Sequence, residues 1–506
     1  MRRDDRPALR RDETPTLRRL DDVLRAIPEL CVPAGALPAL GGLTADSRQV
    51  APGDLFAALP GGQQDGRRFI AEAVARGAAA VLAPAGTDWP AGIEARPLLR
   101  AADPRRVLAL LAAAFHARQP EVVVAVTGTN GKTSSVDFLR QIWTLDGQRA
   151  ASLGTLGLVA DGFAPGPSLT TPDPVALHAG LSALAQAGVG AVALEASSHG
   201  LEQRRLDGVR LAAAGFGNLT RDHLDYHGDM AAYRAAKLRL FDTLLPPGAV
   251  AVANSEMEAA ALAALRAIAA SRGLRLLTVG ETGEALRLLA HAPLPDGQEV
   301  TLEGFGLRQR LRLALPGRFQ LDNVMMAAAL AIGTGMAPER ALALLPRLVG
   351  VRGRMELAAR LPGGAAVYVD YAHTPDALDR LLRALRGHVA PGGRLHVLFG
   401  AGGDRDPGKR PLMGAACAAQ ADVCWVTDDN PRSEDPAAIR AGVLAACPGG
   451  IDAGDRAAAI ARAMAALRPG DVLAVAGKGH ESGQTIGGVT LPFDDVSAVR
   501  AAAGLA

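Results

Sequence analysis

Short unbroken apolar runs alternate with segments of helical length along most of this chain. EVVVAV at 121–126, GAVALEAS at 190–197 and AVAVAN at 249–254 show no regular polar alternation. Runs of this kind are strands buried on both faces, as in a parallel sheet. DPVALHAGLSALAQAG and similar stretches between them have the length and apolar content of helices. The pattern predicts a doubly wound α/β domain over 104–348, entered through the helical segment PRRVLALLAAAFHARQ. After GVRGRMEL come AAVYVDYA, RLHVLFGAGG, DVCWVTDDN and DVLAVAGKGH, four strand candidates separated by helix-sized segments. They predict a third, Rossmann-like α/β domain over 349–506. Upstream, DLFAAL and AAVLAP flank RRFIAEAVARG, and TADSRQVAPGDLFAALPG is rich in loop formers. A small α/β domain over 18–103 is expected there. Residues 1–17 mix both charge signs, lack the apolar core of a signal peptide and read as a loose tail.

A chain of 506 residues with 49% apolar and 21% charged residues has material for several cores. Its net charge of +2 supplies no broad field for nucleic acid or an anionic membrane, so an anionic ligand must meet a local site. No run of 18 uncharged apolar residues is present, and no membrane span is expected. Cys31, Cys417, Cys424 and Cys447 show neither metal-site spacing nor disulfide density, which suits a reducing cytoplasm. Only four of the 54 basic residues are Lys. Lys132, Lys237, Lys409 and Lys478 all sit in stretches rich in Gly or charge, where Arg does not suffice. Four of the five Asn residues, Asn130, Asn218, Asn323 and Asn430, also fall in distinctive stretches.

The candidate chemistry starts where EVVVAV runs into TGTNGKTSS and then SVDFLRQIW. This strand, glycine loop and helix order presents backbone N–H groups and a helix N-terminus to phosphates. Gly128 and Gly131 permit close approach, Lys132 supplies a cation and Thr133 offers a hydroxyl to Mg²⁺. Val126 stands where the longer P-loop spacing expects Gly. Glu195 ends the strand GAVALEAS, where open α/β sheets place ligand-contacting groups, and a hard carboxylate there suits Mg²⁺. Asp222, His223, Asp225 and His227 share one short segment, followed by Lys237 on a helix. An ammonium beside Mg²⁺ is electrostatically wrong, whereas a lysine carbamylated by CO₂ becomes an anion able to hold a metal, and Arg cannot do this. An exposed helix lysine is the alternative for that segment taken by itself.

These stretches together resemble the Mur ligase family from about residue 42 onward. The resemblance rests on TADSRQV, TGTNGKTS, LTTPDP, LEASSHGLEQRR, NLTRDHLDYHG, YRAAKLRLF, GRFQLDN, GRME, VDYAHTPDAL, GGDRDPGKRP, DDNPR and AGKGHE. It implies a small UDP-substrate-binding domain, a central P-loop-type ATPase domain and a C-terminal domain that binds an amino acid. The implied reaction is ATP-dependent addition of meso-2,6-diaminopimelate to UDP-N-acetylmuramoyl-L-alanyl-D-glutamate, with Mg²⁺, by a cytoplasmic monomer. By the same resemblance Gly128, Thr129, Asn130, Gly131, Lys132, Thr133, Ser134, Asn323 and Arg354 bind ATP. Thr133, Glu195, His223 and carbamylated Lys237 hold metal, and Asp370 joins Lys132, Glu195, His223 and Lys237 in the catalytic set. Ser47, Thr170, Thr171, Ser197, Gln203 and Arg205 match positions for the UDP-muramoyl substrate. Arg405, Asp429, Asn430, Pro431, Arg432, Gly477 and Glu481 match the diaminopimelate pocket.

The last assignment has a chemical basis, because diaminopimelate differs from lysine by a distal carboxylate that a guanidinium can grip bidentately. Arg432 and Arg405 are the candidates, with Asp429 or Glu481 for an ammonium. A lysine-adding or folylpolyglutamate synthase-like ligase and a non-catalytic nucleotide-binding scaffold are the alternatives. Arg352 and Gln320 depart from the family pattern, Gln320 replacing a common Asn, and both are expected to touch packing more than chemistry. GGQQDGRR at 61–68 matches only loosely, which leaves Ser47 as the named contact on the uridine side.

Overall fold

Asp-Pro and Thr-Pro pairs mark where four helices begin. Asp103, Asp173, Thr374 and Asp435 accept a backbone N–H in the first turn, and the following proline occupies a position whose own N–H would be unsatisfied. In this computed structural model the described residues are 37–61, 64–163, 169–294 and 297–505, with 18–20, 24, 27 and 30. The tail expected at 1–17, Cys31 and part of GGQQDGRR lie outside them.

Strands β1 (Gly42–Thr44), β2 (Asp54–Ala57), β3 (Ala80–Pro84) and β4 (Leu98–Ala101) pair in parallel in chain order. Leu55, Ala57 and Leu82 face one apolar cluster, Phe56, Val81 and Ala83 another. That two-sided burial explains runs without polar alternation. Seven strands of the next sheet are β5 (Val122–Thr127), β6 (Ala150–Gly154), β7 (Gly157–Val159), β8 (Ala191–Glu195), β9 (Ala213–Phe216), β10 (Val250–Asn254) and β11 (Arg275–Gly280), in the order β11-β10-β9-β5-β8-β6-β7. The pairs among these seven are parallel except β6 with β7. β5 and β8 are adjacent, so the glycine loop and Glu195 leave neighbouring strand ends.

The doubly wound pattern expected as far as 348 does not hold to that point. β12 (Leu286–Leu294), β13 (Gly297–Gly304) and β14 (Leu307–Leu313) form an antiparallel meander. LRQRLRL alternates with period two and stays solvated on one face, the signature of an antiparallel strand. The last sheet contains the four predicted strands, β16 (Ala366–Asp370), β17 (Leu395–Phe399), β18 (Val423–Thr427) and β20 (Val472–Ala476), with two more. The additions, β15 (Glu356–Arg360) and β19 (Ile451–Gly454), are its edges, in the order β15-β16-β20-β17-β18-β19. ELAAR and IDAG are short and half polar, as edge strands usually are, which hid them in the sequence.

The chain divides into two compact units, Met1–Val279 with Met326–Ala337, and Gly280–Met325 with Pro338–Ala506. Among the described residues no helix is long and apolar enough to cross a membrane.

Candidate active site

The predicted phosphate loop lies between β5 and the helix α1 (Lys132–Leu145). Gly128 at φ 153° and Gly131 at φ 81° occupy backbone regions costly for any other residue. The loop is fixed from the segment after β9. Asn218 Oδ1 accepts the Asn130 N–H at 2.9 Å, its Nδ2 donates to Asn130 O at 3.1 Å, and its own carbonyl accepts the Thr129 N–H at 2.9 Å. Thr129 Oγ1 lies 3.1 Å from the Tyr233 hydroxyl and accepts the Thr220 N–H at 3.0 Å. Thr133 and Ser134, on the first turn of α1, are buried.

Two ammonium groups share one carbonyl here. Lys132 Nζ donates to Gly128 O at 2.9 Å and to Thr129 O at 3.0 Å, and Lys237 Nζ donates to Gly128 O at 2.8 Å. Lys237, on helix α2 (Met230–Arg239), is 1% exposed and lies over the Tyr233 ring at 4.6 Å. Burial, with Lys132 adding repulsion, pushes its amine well below the ordinary lysine range. The exposed-lysine alternative is therefore wrong for this residue.

Glu195 is buried at the end of β8, and its carboxylate accepts the Thr155 N–H at 2.7 Å and the Thr155 hydroxyl at 3.2 Å. A Cβ at Gly154 would collide with it at 2.1 Å. Thr155 Oγ1 is 3.2 Å from Thr170 Oγ1, and Thr171 Oγ1 donates to the Glu195 carbonyl at 2.8 Å and lies 3.0 Å from Ser197 Oγ. Arg205 donates to Thr171 O at 2.6 Å and to Gln203 Oε1, whose Nε2 donates to the Tyr226 hydroxyl at 3.0 Å. One hydrogen-bonded chain thus joins Glu195 to five of the six predicted UDP-muramoyl residues. Ser47 stands apart from it, donating to Glu72 Oε2 at 3.0 Å.

His223 adopts φ 53° ahead of a short helical turn, and its ring meets His199 edge-on at 4.9 Å and Tyr233 at 6.2 Å. His199 also packs on Tyr226 and His227, and burial with these neighbouring imidazoles holds it below its usual range. Among the described residues no cluster of three or more His, Cys, Asp or Glu could hold a metal by itself. The expected metal set would need a hydroxyl such as Thr133 and a carbamate at Lys237 beside Glu195 and His223. The surroundings of Lys237 fit that modification, because a carbamate there would put an anion beside the Lys132 cation, where the unmodified amine is held neutral.

The second unit gathers the other predicted residues. Asp370 ends β16 and accepts the Met355 N–H at 2.7 Å and the Ala372 N–H at 2.8 Å. Enclosure pushes its carboxyl up, against the opposing pull of Arg354. The Arg354 guanidinium lies over the Tyr371 ring at 4.7 Å, and Tyr371 packs on His480 at 5.0 Å. Burial and the Arg354 charge push His480 down to about 4. Asn323, on α3 (Arg318–Gly333), is buried and donates to Gln320.

Gly477 donates its N–H to Asp370 O at 3.1 Å, and a Cβ there would come within 2.7 Å of Asp429 Oδ2, a buried oxygen with no hydrogen-bond partner. Asn430 and Glu481 share Lys478, whose Nζ donates to Asn430 Oδ1 and Glu481 Oε2, each at 3.0 Å. Pro431 is buried between Asn430 and Arg432. Arg432, at φ 54°, donates to Gly403 O at 2.6 Å, and exposed Arg405 lies beside Gly402 on the same turn. Beneath this group, fully buried Arg456 makes a two-point ion pair with Asp495, both contacts at 2.7 Å, and donates to Ala476 O.

Sequence reasoning named neither Thr155, Tyr233 and His199 in the first unit nor Tyr371 and the Arg456–Asp495 pair in the second. Asn218 and Lys478 could be singled out only by the scarcity of their residue types.

Three domain families match this chain: "Mur ligase family, catalytic domain" over 40–124, "Mur ligase middle domain" over 126–331, and "Mur ligase, glutamate ligase domain" over 353–479. The UDP-N-acetylmuramoyl-L-alanyl-D-glutamate–2,6-diaminopimelate ligase of Caulobacter vibrioides is 54% identical over 468 residues, covering 91% of this chain and 94% of that protein. The ligase of the same name from Rhizobium meliloti is 51% identical, covering 92% and 94%. A solved structure of a ligase of that name matches with a TM-score of 0.70 at 34% identity, covering 96% of this chain and 98% of that one.

Proposed function

The chain belongs to the Mur ligase family, and from that premise we propose that it joins meso-2,6-diaminopimelate to the D-glutamate γ-carboxylate of UDP-N-acetylmuramoyl-L-alanyl-D-glutamate at the expense of ATP. It is an ATP-dependent amide ligase of peptidoglycan precursor synthesis. The observation that carries the reading is identity above one half, over nine-tenths of the chain, to a ligase of that name. We take the domains as 18–103 for the UDP substrate, 104–348 for ATP and 349–506 for the amino acid. Nucleotide-linked substrates and ATP place the reaction in the cytoplasm.

A γ-carboxylate oxygen attacks the ATP γ-phosphorus, the bond to the β-phosphate oxygen breaks, and ADP leaves with its electron pair. The amine of diaminopimelate, in its neutral form, then attacks the acyl carbon. Orthophosphate leaves, and one proton is released as the amide forms. No protein nucleophile is needed, so catalysis is positioning and charge stabilisation. The loop N–H groups and Lys132 neutralise charge growing on the transferred phosphoryl group. Mg²⁺, held by Thr133, Glu195, His223 and carbamylated Lys237, would supply further charge neutralisation at the phosphates.

Thr155 keeps the Glu195 carboxylate aimed, and Thr170, Thr171, Ser197, Gln203 and Arg205 extend from it to hold the muramoyl dipeptide. Ser47 serves the uridine end. Asn323, Arg354 and Asp370 serve the nucleotide. Arg432 and Arg405 grip the distal carboxylate, and the unpartnered Asp429 oxygen suits an ammonium. With Asn430, Pro431, Gly477 and Glu481 they make the amino-acid pocket. The acyl phosphate is tested by labelling the γ-carboxylate with ¹⁸O. One labelled oxygen is expected in each orthophosphate released, and unlabelled orthophosphate would overturn the step.

A further inference from the structure

The Gln320 side chain is fully buried, and both ends of its amide are committed to residues assigned to the nucleotide. Its Oε1 accepts from Asn323 Nδ2 and its Nε2 donates to the Arg354 carbonyl, each at 3.1 Å. Gln320 is itself set in place by the turn before α3. Its N–H donates to Gly317 O at 3.0 Å, and the same carbonyl accepts Gln298 Nε2 at 3.2 Å. The Gly317 N–H donates to His388 Nε2 at 2.8 Å, which puts the His388 proton on Nδ1, where it is given to Leu294 O at 2.6 Å. Gly317 has φ 84°, and a Cβ there would meet Met355 Sδ at 2.9 Å. The turn is over-determined, and Gln320 passes that rigidity on to Asn323 and Arg354.

We propose that Gln320 is a positioning residue for nucleotide binding, fixing the orientation of the Asn323 amide and the place of the Arg354 backbone. This rests on the reading that Asn323 and Arg354 meet ATP. An Asn amide has two ends of nearly equal shape and opposite hydrogen-bonding character. Only the orientation that gives Nδ2 to Gln320 satisfies the buried Oε1, and reversal would set two carbonyl oxygens against each other. Arg354 is tied to the same amide, so one side chain keeps two nucleotide contacts in register. Asn at 320 is one methylene shorter and reaches both partners only if the backbone around it shifts. Glu keeps the length and the acceptor but loses the donor facing the Arg354 carbonyl.

The test uses the full chain and its Gln320→Glu and Gln320→Asn variants. Kd for ATP is measured by calorimetry, alongside KM for ATP and for diaminopimelate. Kd and KM for ATP are expected to rise roughly tenfold in Gln320→Glu, less in Gln320→Asn, with KM for diaminopimelate within about twofold of the parent. An unchanged Kd for ATP, or equal rises in both KM values alongside lowered stability, would overturn the proposal. Should Gln320→Glu fail to fold, Gln320→Asn decides by the same criterion. A parent chain that binds ATP without consuming diaminopimelate would overturn the acceptor assignment, and the ATP Kd would still decide the role of Gln320.

Discussion

Lys237 and Lys478 are buried to the same degree, at 1% and 0% exposure, but their ammonium groups meet different surroundings. Lys478 donates to the Glu481 carboxylate and the Asn430 amide oxygen. Among the described residues Lys237 makes no ion pair, Asp222 acting on it only at longer range, and it competes with Lys132 for the Gly128 carbonyl. A buried cation without a counter-ion is costly and turns neutral instead. On the proposed reading the first unit therefore holds a lysine kept neutral for reaction with CO₂, and the second holds a lysine paired to its neighbours. Burial alone does not tell a reactive lysine from a structural one; the nearest anion does.

The strongest way to break this contrast is Lys237→Met. Turnover should fall by roughly 10²–10³ while stability stays the same or rises, because Lys132 still serves the Gly128 carbonyl. ADP release and urea unfolding on the same sample check both halves, and near-parental turnover would remove Lys237 from the catalytic set. Lys478→Met should do the reverse, lowering stability by about 1–3 kcal/mol and raising KM for diaminopimelate, with KM for ATP held. Equal loss of stability in the two variants would erase the distinction.

A smaller effect appears in the pH dependence of stability. Between the lowered native value of Lys237 and its ordinary 10.5, the unfolded chain binds a proton that the folded chain does not. Stability of the unmodified protein should therefore rise with pH across that window. The slope should be shallower in Lys237→Met, measured by urea midpoints in CO₂-free buffer, and parallel slopes would place the native amine in the ordinary range.

The glycine loop, the buried strands and the order of the α/β segments were legible because each is a local pattern. EVVVAV, TGTNGKTSS and the helix after it lie within 25 residues. The supports of the site were not legible, because they are long-range pairs. Thr155 reaches Glu195 across 40 positions, Asn218 reaches Asn130 across 88, and Arg456 reaches Asp495 across 39. No period or short motif encodes such pairs. Gln320 looked like a packing change in the sequence, whereas its amide joins two residues 31 positions apart in the chain, Asn323 and Arg354. The meander β12–β14 was missed for a different reason. Its two-residue period was present, but the surrounding α/β rhythm was carried through it.

On the proposed reading Arg432 carries the choice between diaminopimelate and lysine, and ADP release tests it most directly. Rates are compared for meso-diaminopimelate and L-lysine with UDP-N-acetylmuramoyl-L-alanyl-D-glutamate, ATP and Mg²⁺, in the parent chain and in Arg432→Ala. A strong preference for diaminopimelate that the substitution abolishes is the expected result. Equal use of the two amino acids by the parent, or a preference that survives the loss of Arg432, would contradict it.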